Sequence, residues 1–161
     1  MNKDFEKLEG NQRVWIFQAN PKLYRIIDAL AVDEIKEKMH WAVRQHRSRI
    51  KKGDIGIIWQ CGSNAGILAI TKILSNPRFM TETEIEDKFW IKDEDKGKVE
   101  WMVEMKVIRD ISKCLLSRPE LRKETGLQQM SLLRPPYNRT NFPVTTAEWN
   151  IIREIINIKN Q

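Results

Sequence analysis

The sequence predicts an α+β domain in which a small, curved or barrel-like sheet is surrounded by helices. Three observations predict it. Short apolar runs bounded by Gly, Pro and Asn cluster in the middle of the chain. Helical spacing of apolar residues marks an early and a late segment. The length of 161 residues is enough for one self-sufficient core.

Residues 1–12 are polar and read as a loose lead-in, leaving 13–161 as a single domain. Residues 14–19, VWIFQA, form a strand that stops at Asn20-Pro21, because proline cannot continue a central ladder. Ile26, Ile27, Leu30 and Ile35 fall mostly on one face of a helix over 26–38. A short strand is expected at 41–45, followed by a basic segment to Lys52. Gly53-Asp54 is a turn pair that launches a strand over 55–61. Residues 62–65 turn the chain, and 66–74 return it until Ser75-Asn76-Pro77. Gly62 and Gly66 supply backbone freedom where a side chain would clash.

Residues 85–91 read as a strand or a short helix, and 92–98 as a charged turn. Over 99–108 the pattern alternates. Val99, Trp101, Val103, Met105 and Val107 face one way, with Glu100, Glu104 and Lys106 mostly on the other, as in a half-buried antiparallel strand. A short helix follows at 119–123, and three prolines make 131–143 irregular. Thr145-Thr146-Ala147-Glu148 fits a capping box. The helix it opens, 147–158, carries Trp149, Ile152, Ile155 and Ile156 on a core face.

Composition excludes several classes. No apolar stretch approaches the roughly 18 residues of a membrane span. The opening MNKDFEKLEGNQR lacks the apolar segment of a secretory signal. Cys61 and Cys114 are too few and too unpatterned for a disulfide framework or a zinc site, so a reducing cytoplasm is the expected setting. There is no nucleophile elbow, P-loop or dinucleotide glycine pattern. His40 and His46, six apart, suit neither a helical metal pair nor a triad. The acids lie in exposed-looking runs such as Glu82-Thr83-Glu84 and Asp93-Glu94-Asp95. The expectation is a protein that is not an enzyme and takes no metal or cofactor.

The charge balance, 28 Lys+Arg against 22 Asp+Glu, leaves a net charge of +6, which favours a polyanionic partner. Of the six tryptophans, Trp15, Trp101 and Trp149 sit on apolar faces and read as core. Trp41 precedes the run RQHRSRIKK, and Trp59 ends a strand beside small turn residues. For these two, spacing alone weighs pocket and core equally, and indoles stack well on nucleobases. The run itself holds Arg44, Arg47, Arg49, Lys51 and Lys52 with no acid. Such runs are usually solvated connectors, but between two stacking tryptophans it places phosphate-binding cations. Arg134, Arg139 and Asn141 form a second cluster in the proline-stiffened RPPYNRTN.

These residues carry a resemblance. WIFQANPKLY (15–24), WAVRQHRSRIKKGDIGIIWQCGSNAGILAI (41–70), the strand at 99–108 and NFPVTTAEW (141–149) together resemble the EVE domain family of the PUA-like superfamily, related to the YTH readers of methylated RNA. The resemblance implies a strongly curved, five- to six-stranded, mostly antiparallel sheet close to a barrel, surrounded by helices. It also implies a reader that flips a methylated or hydroxymethylated base, in DNA rather than RNA, into an aromatic pocket. By motif, the pocket would take Asn20 at the end of the first strand, Tyr24 beyond it, Trp41 and Trp59 as ring walls, and Gly62, Ser63, Asn64 and Ala65 as its edge. Arg44, Arg47, Arg49, Lys51, Lys52, Arg134 and Arg139 would hold phosphates. EVE domains also occur as the DNA-reading front end of modification-dependent restriction systems, which implies a motor or nuclease partner. No such sequence follows here, so the chain reads as a stand-alone protein or an excised domain.

Two alternatives stand beside this one. A PUA-like hydrolase or ribonuclease would need a positioned side chain such as Lys22, Tyr24 or Tyr137. A binder of a free nucleotide-like small molecule would need only the slot.

Overall fold

The computed structural model describes residues 7–135 and 138–159. Strands β1 (Val14–Ala19), β2 (Met39–Ala42), β3 (Ile55–Gln60), β4 (Gly66–Ile73), β5 (Arg78–Met80), β6 (Glu100–Asp110), β7 (Leu116–Ser117) and β8 (Asn141–Val144) form one sheet. The helices are α1 (Ile26–Leu30), α2 (Asp33–Glu37), α3 (Glu84–Asp87), α4 (Arg118–Arg122) and α5 (Thr146–Lys159). Six strands run in the order β2-β6-β4-β3-β1-β8, with β5 paired to β6 and β7 to β4. Only the β1–β3 pairing is parallel. The architecture is the expected α+β one, with β5, β7 and β8 added to the strands read element by element from the sequence.

Both faces of β1 and β3 are covered, which is why they read as unbroken apolar runs rather than alternating ones. Val14 and Ile16 join a core with Trp149, Ile152 and Ile156 of α5. Trp15, Phe17 and Ala19 join a second core with Ile26, Leu30 and Ile35 of the early helices. In the turn before β3, the Asp54 carboxylate accepts from the Trp15 indole at 2.9 Å and from the Arg13 and Lys51 amides.

Several boundaries differ from expectation, each for a local reason. The predicted helix over 26–38 is two, because Val32 is extended (φ −93, ψ 118). The expected strand at 41–45 begins earlier, at Met39. Segment 85–91 begins in the helix α3, opened by a Thr83–Glu86 capping box, and turns after Asp87 to a single antiparallel bridge between Trp90 and Tyr24. The irregular 131–143 contains β8, an edge strand where Pro143 faces no further ladder partner. At the end of the alternating strand, Val99 is exposed and Met102 is buried with Val103 and Met105, because β6 is covered on both faces there. The second capping box is formed as expected: Glu148 N donates to Thr145 Oγ1 and Thr145 N to Glu148 Oε1. Within the lead-in, Leu8 packs on the first core and Gln12 Nε2 donates to Gly53 O.

The two hairpin glycines serve different ends. Gly62 has φ +101, a left-handed turn conformation. At Gly66 a Cβ would come within 2.6 Å of the Leu116 carbonyl, so this glycine lets β7 cross the strand closely.

Candidate nucleic-acid interface

A cavity of about 390 Å³ opens where the second core ends. That volume lies at the small end of ligand pockets and suits one heterocycle. The carboxyl end of β1 and the segment after it supply Gln18, Asn20 and Tyr24; β2 supplies His40 and Trp41. Glu82 and Trp90, on either side of α3, close another wall. Glu100 and Met102 come from β6, and Arg139 from the segment before β8.

Three aromatic rings form the apolar lining. Trp41 is half-buried, with one side against the second core. Tyr24 and Trp90 meet edge to face, centroids 4.7 Å apart at 64°. The Tyr24 hydroxyl donates to Glu86 O at 3.0 Å, and burial pushes the phenol well above its ordinary range. Its ring is therefore a wall and its proton is committed.

The polar groups are held as firmly. The Glu86 carboxylate accepts from His40 N, Thr83 N and Thr83 Oγ1, and its Oε1 lies 2.7 Å from His40 Nδ1. That hydrogen bond raises the His40 pKa, against the opposing effect of burial. Trp90 Nε1 donates to Glu82 Oε2 at 2.8 Å. Burial pushes the Glu82 pKa to about 7, with nearby Glu86 and Asp87 adding and the Trp90 bond opposing. At the mouth Arg44 pairs with Glu100 at 3.2 Å. Arg139 is exposed there, and its carbonyl accepts from Gln18 Nε2 at 2.7 Å.

Of the residues expected from sequence, Asn20, Tyr24, Trp41, Arg44 and Arg139 line this cavity. Asn20 Oδ1 is engaged by Lys22 N at 3.0 Å, which leaves its amide donors. Trp59 does not line it. Its ring is fully buried in the core beneath α5, with Ala65, because β3 has no open face. The proposed slot between Trp41 and Trp59 is therefore not present: the two indoles belong to opposite cores. Gly62, Ser63 and Asn64 are exposed away from the cavity; only the preceding Cys61 reaches it.

The cations are spread more widely than the run suggests. Arg47 lies over the Trp101 ring at 4.2 Å and Arg49 over Trp15 at 5.4 Å. Lys51 and Lys52 are exposed, and Arg134 bonds Gln129. None of these five lines the cavity. Tyr137 lies outside the described residues.

Sequence reasoning missed Trp90, Glu82, Glu100 and Met102, and set His40 aside. One signal was available. Thr83-Glu84-Ile85-Glu86 has the spacing of a capping box, which starts a helix and makes Glu82 the residue just outside it. Among the described residues, no group of three His, Cys, Asp or Glu could hold a metal ion, and no helix is long and apolar enough to cross a membrane.

A family model described as EVE domain matches residues 13–155. No curated protein matches the sequence. Among solved structures, a hypothetical protein from Leishmania major superposes with a TM-score of 0.65 at 19% identity, over 93% of this chain and 98% of that one. A Pseudomonas putida protein gives 0.60 at 18% identity, over 88% and 98%. Human THYN1, in complex with DNA containing 5-methylcytosine, gives 0.60 at 18% identity, over 89% and 97%. At these identities the likeness is one of fold.

Proposed function

The chain belongs to the EVE domain family, and from that premise we propose that it reads nucleic acid, DNA in preference to RNA, by taking one methylated or hydroxymethylated base into the cavity beside Trp41. The carrying observation is the make-up of that cavity. Three aromatic rings, from Tyr24, Trp41 and Trp90, surround a base-sized space whose mouth carries Arg44 and Arg139. Extruding a base costs a few kcal/mol, least at weakened pairs. Stacking on aromatic rings contributes about 1–3 kcal/mol per base. The Asn20 amide donors can address the edge of the base.

The fold of human THYN1, found with 5-methylcytosine-containing DNA, supports DNA as the polymer. Arg44 and Arg139 then contact the flanking phosphates. The exposed Arg47, Arg49, Lys51, Lys52 and Arg134 supply the longer-range attraction.

The test is a panel of oligonucleotides that differ at one base: cytosine, 5-methylcytosine, 5-hydroxymethylcytosine, adenine and N6-methyladenine. One modified member should bind at least several-fold tighter than its plain counterpart, and it should be recovered intact after hours with the protein. Equal affinity across the panel would overturn the reader, and a cleaved or altered oligonucleotide would replace it with an enzyme. A free modified nucleoside that binds as well as the oligonucleotide would point to a small-molecule pocket.

A further inference from the structure

Glu82 is an odd residue to find in the wall of a cavity on a basic protein. Of the pocket carboxylates, Glu100 is paired with Arg44, and Glu86, just behind the wall, accepts four hydrogen bonds. Glu82 has no cationic partner among the described residues. Its one hydrogen bond runs from Trp90 Nε1 to Oε2, which leaves Oε1. It is half-buried, and it lines both the main cavity and a smaller adjoining recess of about 260 Å³ that shares Leu23, Arg44, Trp90, Glu100 and Met102. A ligand that fills the cavity takes this oxygen out of water and has to supply a donor in exchange.

We propose that Glu82 is a specificity-determining residue whose carboxyl group accepts a hydrogen bond from the exocyclic amine of the captured base. The pocket therefore takes amino-bearing bases of the cytosine or adenine type and rejects thymine and uracil. This rests on the base-reader function proposed above and adds the class of base.

The chemistry follows from the edges. Cytosine and adenine present an amino group with two protons, one of which can approach the carboxyl oxygen free of a neighbouring acceptor. Thymine and uracil offer a single ring N–H flanked on both sides by carbonyls. Any approach of a carboxyl group to that proton sets its second oxygen against a carbonyl oxygen. The groups around Glu82 do not cancel this preference. Glu86 and Asp87 on α3 are acidic, Tyr24 has committed its proton, His40 is bonded to Glu86, and Arg44 is paired with Glu100 across the mouth. A burial-raised pKa near 7 also keeps part of the population protonated at neutral pH. The neutral acid can donate to a thymine or uracil carbonyl as readily as to a ring nitrogen, so the preference belongs to the ionised carboxylate.

Thymine and 5-methylcytosine make the decisive probes, because they share the methyl group and differ at the amine and ring nitrogen. Affinities of otherwise identical oligonucleotides carrying either base at one site are compared by fluorescence anisotropy, for the wild type, Glu82→Ala and Glu82→Gln. The same set is run with N6-methyladenine against hypoxanthine to cover a purine ligand. The wild type should prefer the amino base by about tenfold to a hundredfold, the scale of one charge-assisted hydrogen bond. Glu82→Ala should bring that ratio close to one. Glu82→Gln keeps the Trp90 contact through its one carbonyl oxygen and turns an NH2 donor toward the base amine, so it too should lose the preference.

An unchanged ratio in folded Glu82→Ala overturns the role of Glu82 while leaving the reader standing. A preference kept in full by Glu82→Gln overturns it too, because Glu82 would then only hold the indole. Failure of the wild type to bind any modified oligonucleotide above its plain counterpart overturns the reader itself.

Discussion

Asn141 joins the two ends of the sheet through Gln45. Asn141 Oδ1 accepts from the backbone amides of Arg44 at 2.7 Å and Gln45 at 3.1 Å, while its Nδ2 donates to Ala42 O at 3.1 Å. Gln45 Oε1 returns the contact by accepting from the Thr140 and Asn141 amides at 3.0 and 2.9 Å. Strands β2 and β8 are the terminal members of the strand order and share no ladder. Two side-chain amides thus do at this point what backbone pairing does elsewhere. They also fix Arg44 and Arg139 on the same mouth. Asn141 is fully buried, so its partners have no water to fall back on. Asn141→Ala should cost about 2–4 kcal/mol, since three backbone groups lose partners. Asn141→Asp, which keeps Oδ1 but sets an oxygen against Ala42 O, should cost at least as much at neutral pH. Thermal unfolding checks both.

Trp59 and Trp41 should separate cleanly on substitution. Trp59 is fully buried in the first core, so Trp59→Ala should cost roughly 3–5 kcal/mol, with no specific change in base preference. Its indole nitrogen has no hydrogen-bond partner among the described residues, so Trp59→Phe should be far milder. Trp41→Ala should leave more of the stability and remove most of the discrimination between modified and plain base. Paired urea melts and binding isotherms decide the matter. Loss of discrimination in folded Trp59→Phe but not in Trp41→Ala would reverse these roles.

Salt should weaken binding, because phosphate contacts release counterions. On duplex DNA the log–log slope is about −0.9 for each phosphate neutralised. Arg139→Ala should make the slope shallower by about one contact and leave the ratio of modified to plain base unchanged. A slope that stays near zero in the wild type would deny the basic mouth any role.

Two cavity groups make stability fall as pH rises. Burial raises Glu82 from 4.5 to about 7, so between those values the folded protein holds a proton that the unfolded chain has released. Stability from this source is complete below pH 4.5 and is lost as pH climbs to about 7. The Glu86 hydrogen bond raises His40 above 6.5, so its contribution is complete below 6.5 and is lost as pH rises through the folded value. Glu82→Gln should flatten the first window, gaining a few degrees in Tm on the wild type at pH 8 relative to pH 5. Differential melts across that range show it; a constant difference would mean that Glu82 titrates normally.

Much of this was legible along the chain because it is local. Asn20-Pro21 ends β1, Gly53-Asp54 starts β3, and Thr145 and Glu148 cap α5, each through groups within a few residues of one another. The apolar runs announced buried strands, and the motif residues Asn20, Tyr24, Trp41, Arg44 and Arg139 do share a cavity. Pro143 was read as a break, yet it sits in an edge strand, where a missing N–H is tolerated.

What the sequence determined by itself, then, was most of the longer elements, the cap of α5 and the positive charge, which follow from composition, short-range sterics and hydrogen bonding. Only the tertiary structure decided which indole lines the cavity. A strand covered on both faces gives its side chains no distinguishing pattern, so Trp59 could not be told from a pocket wall until α5 was seen to lie over it. Trp90 and Glu82 become pocket residues because α3 brings them beside Tyr24 and His40 from far along the chain, and no local period records a contact of that length.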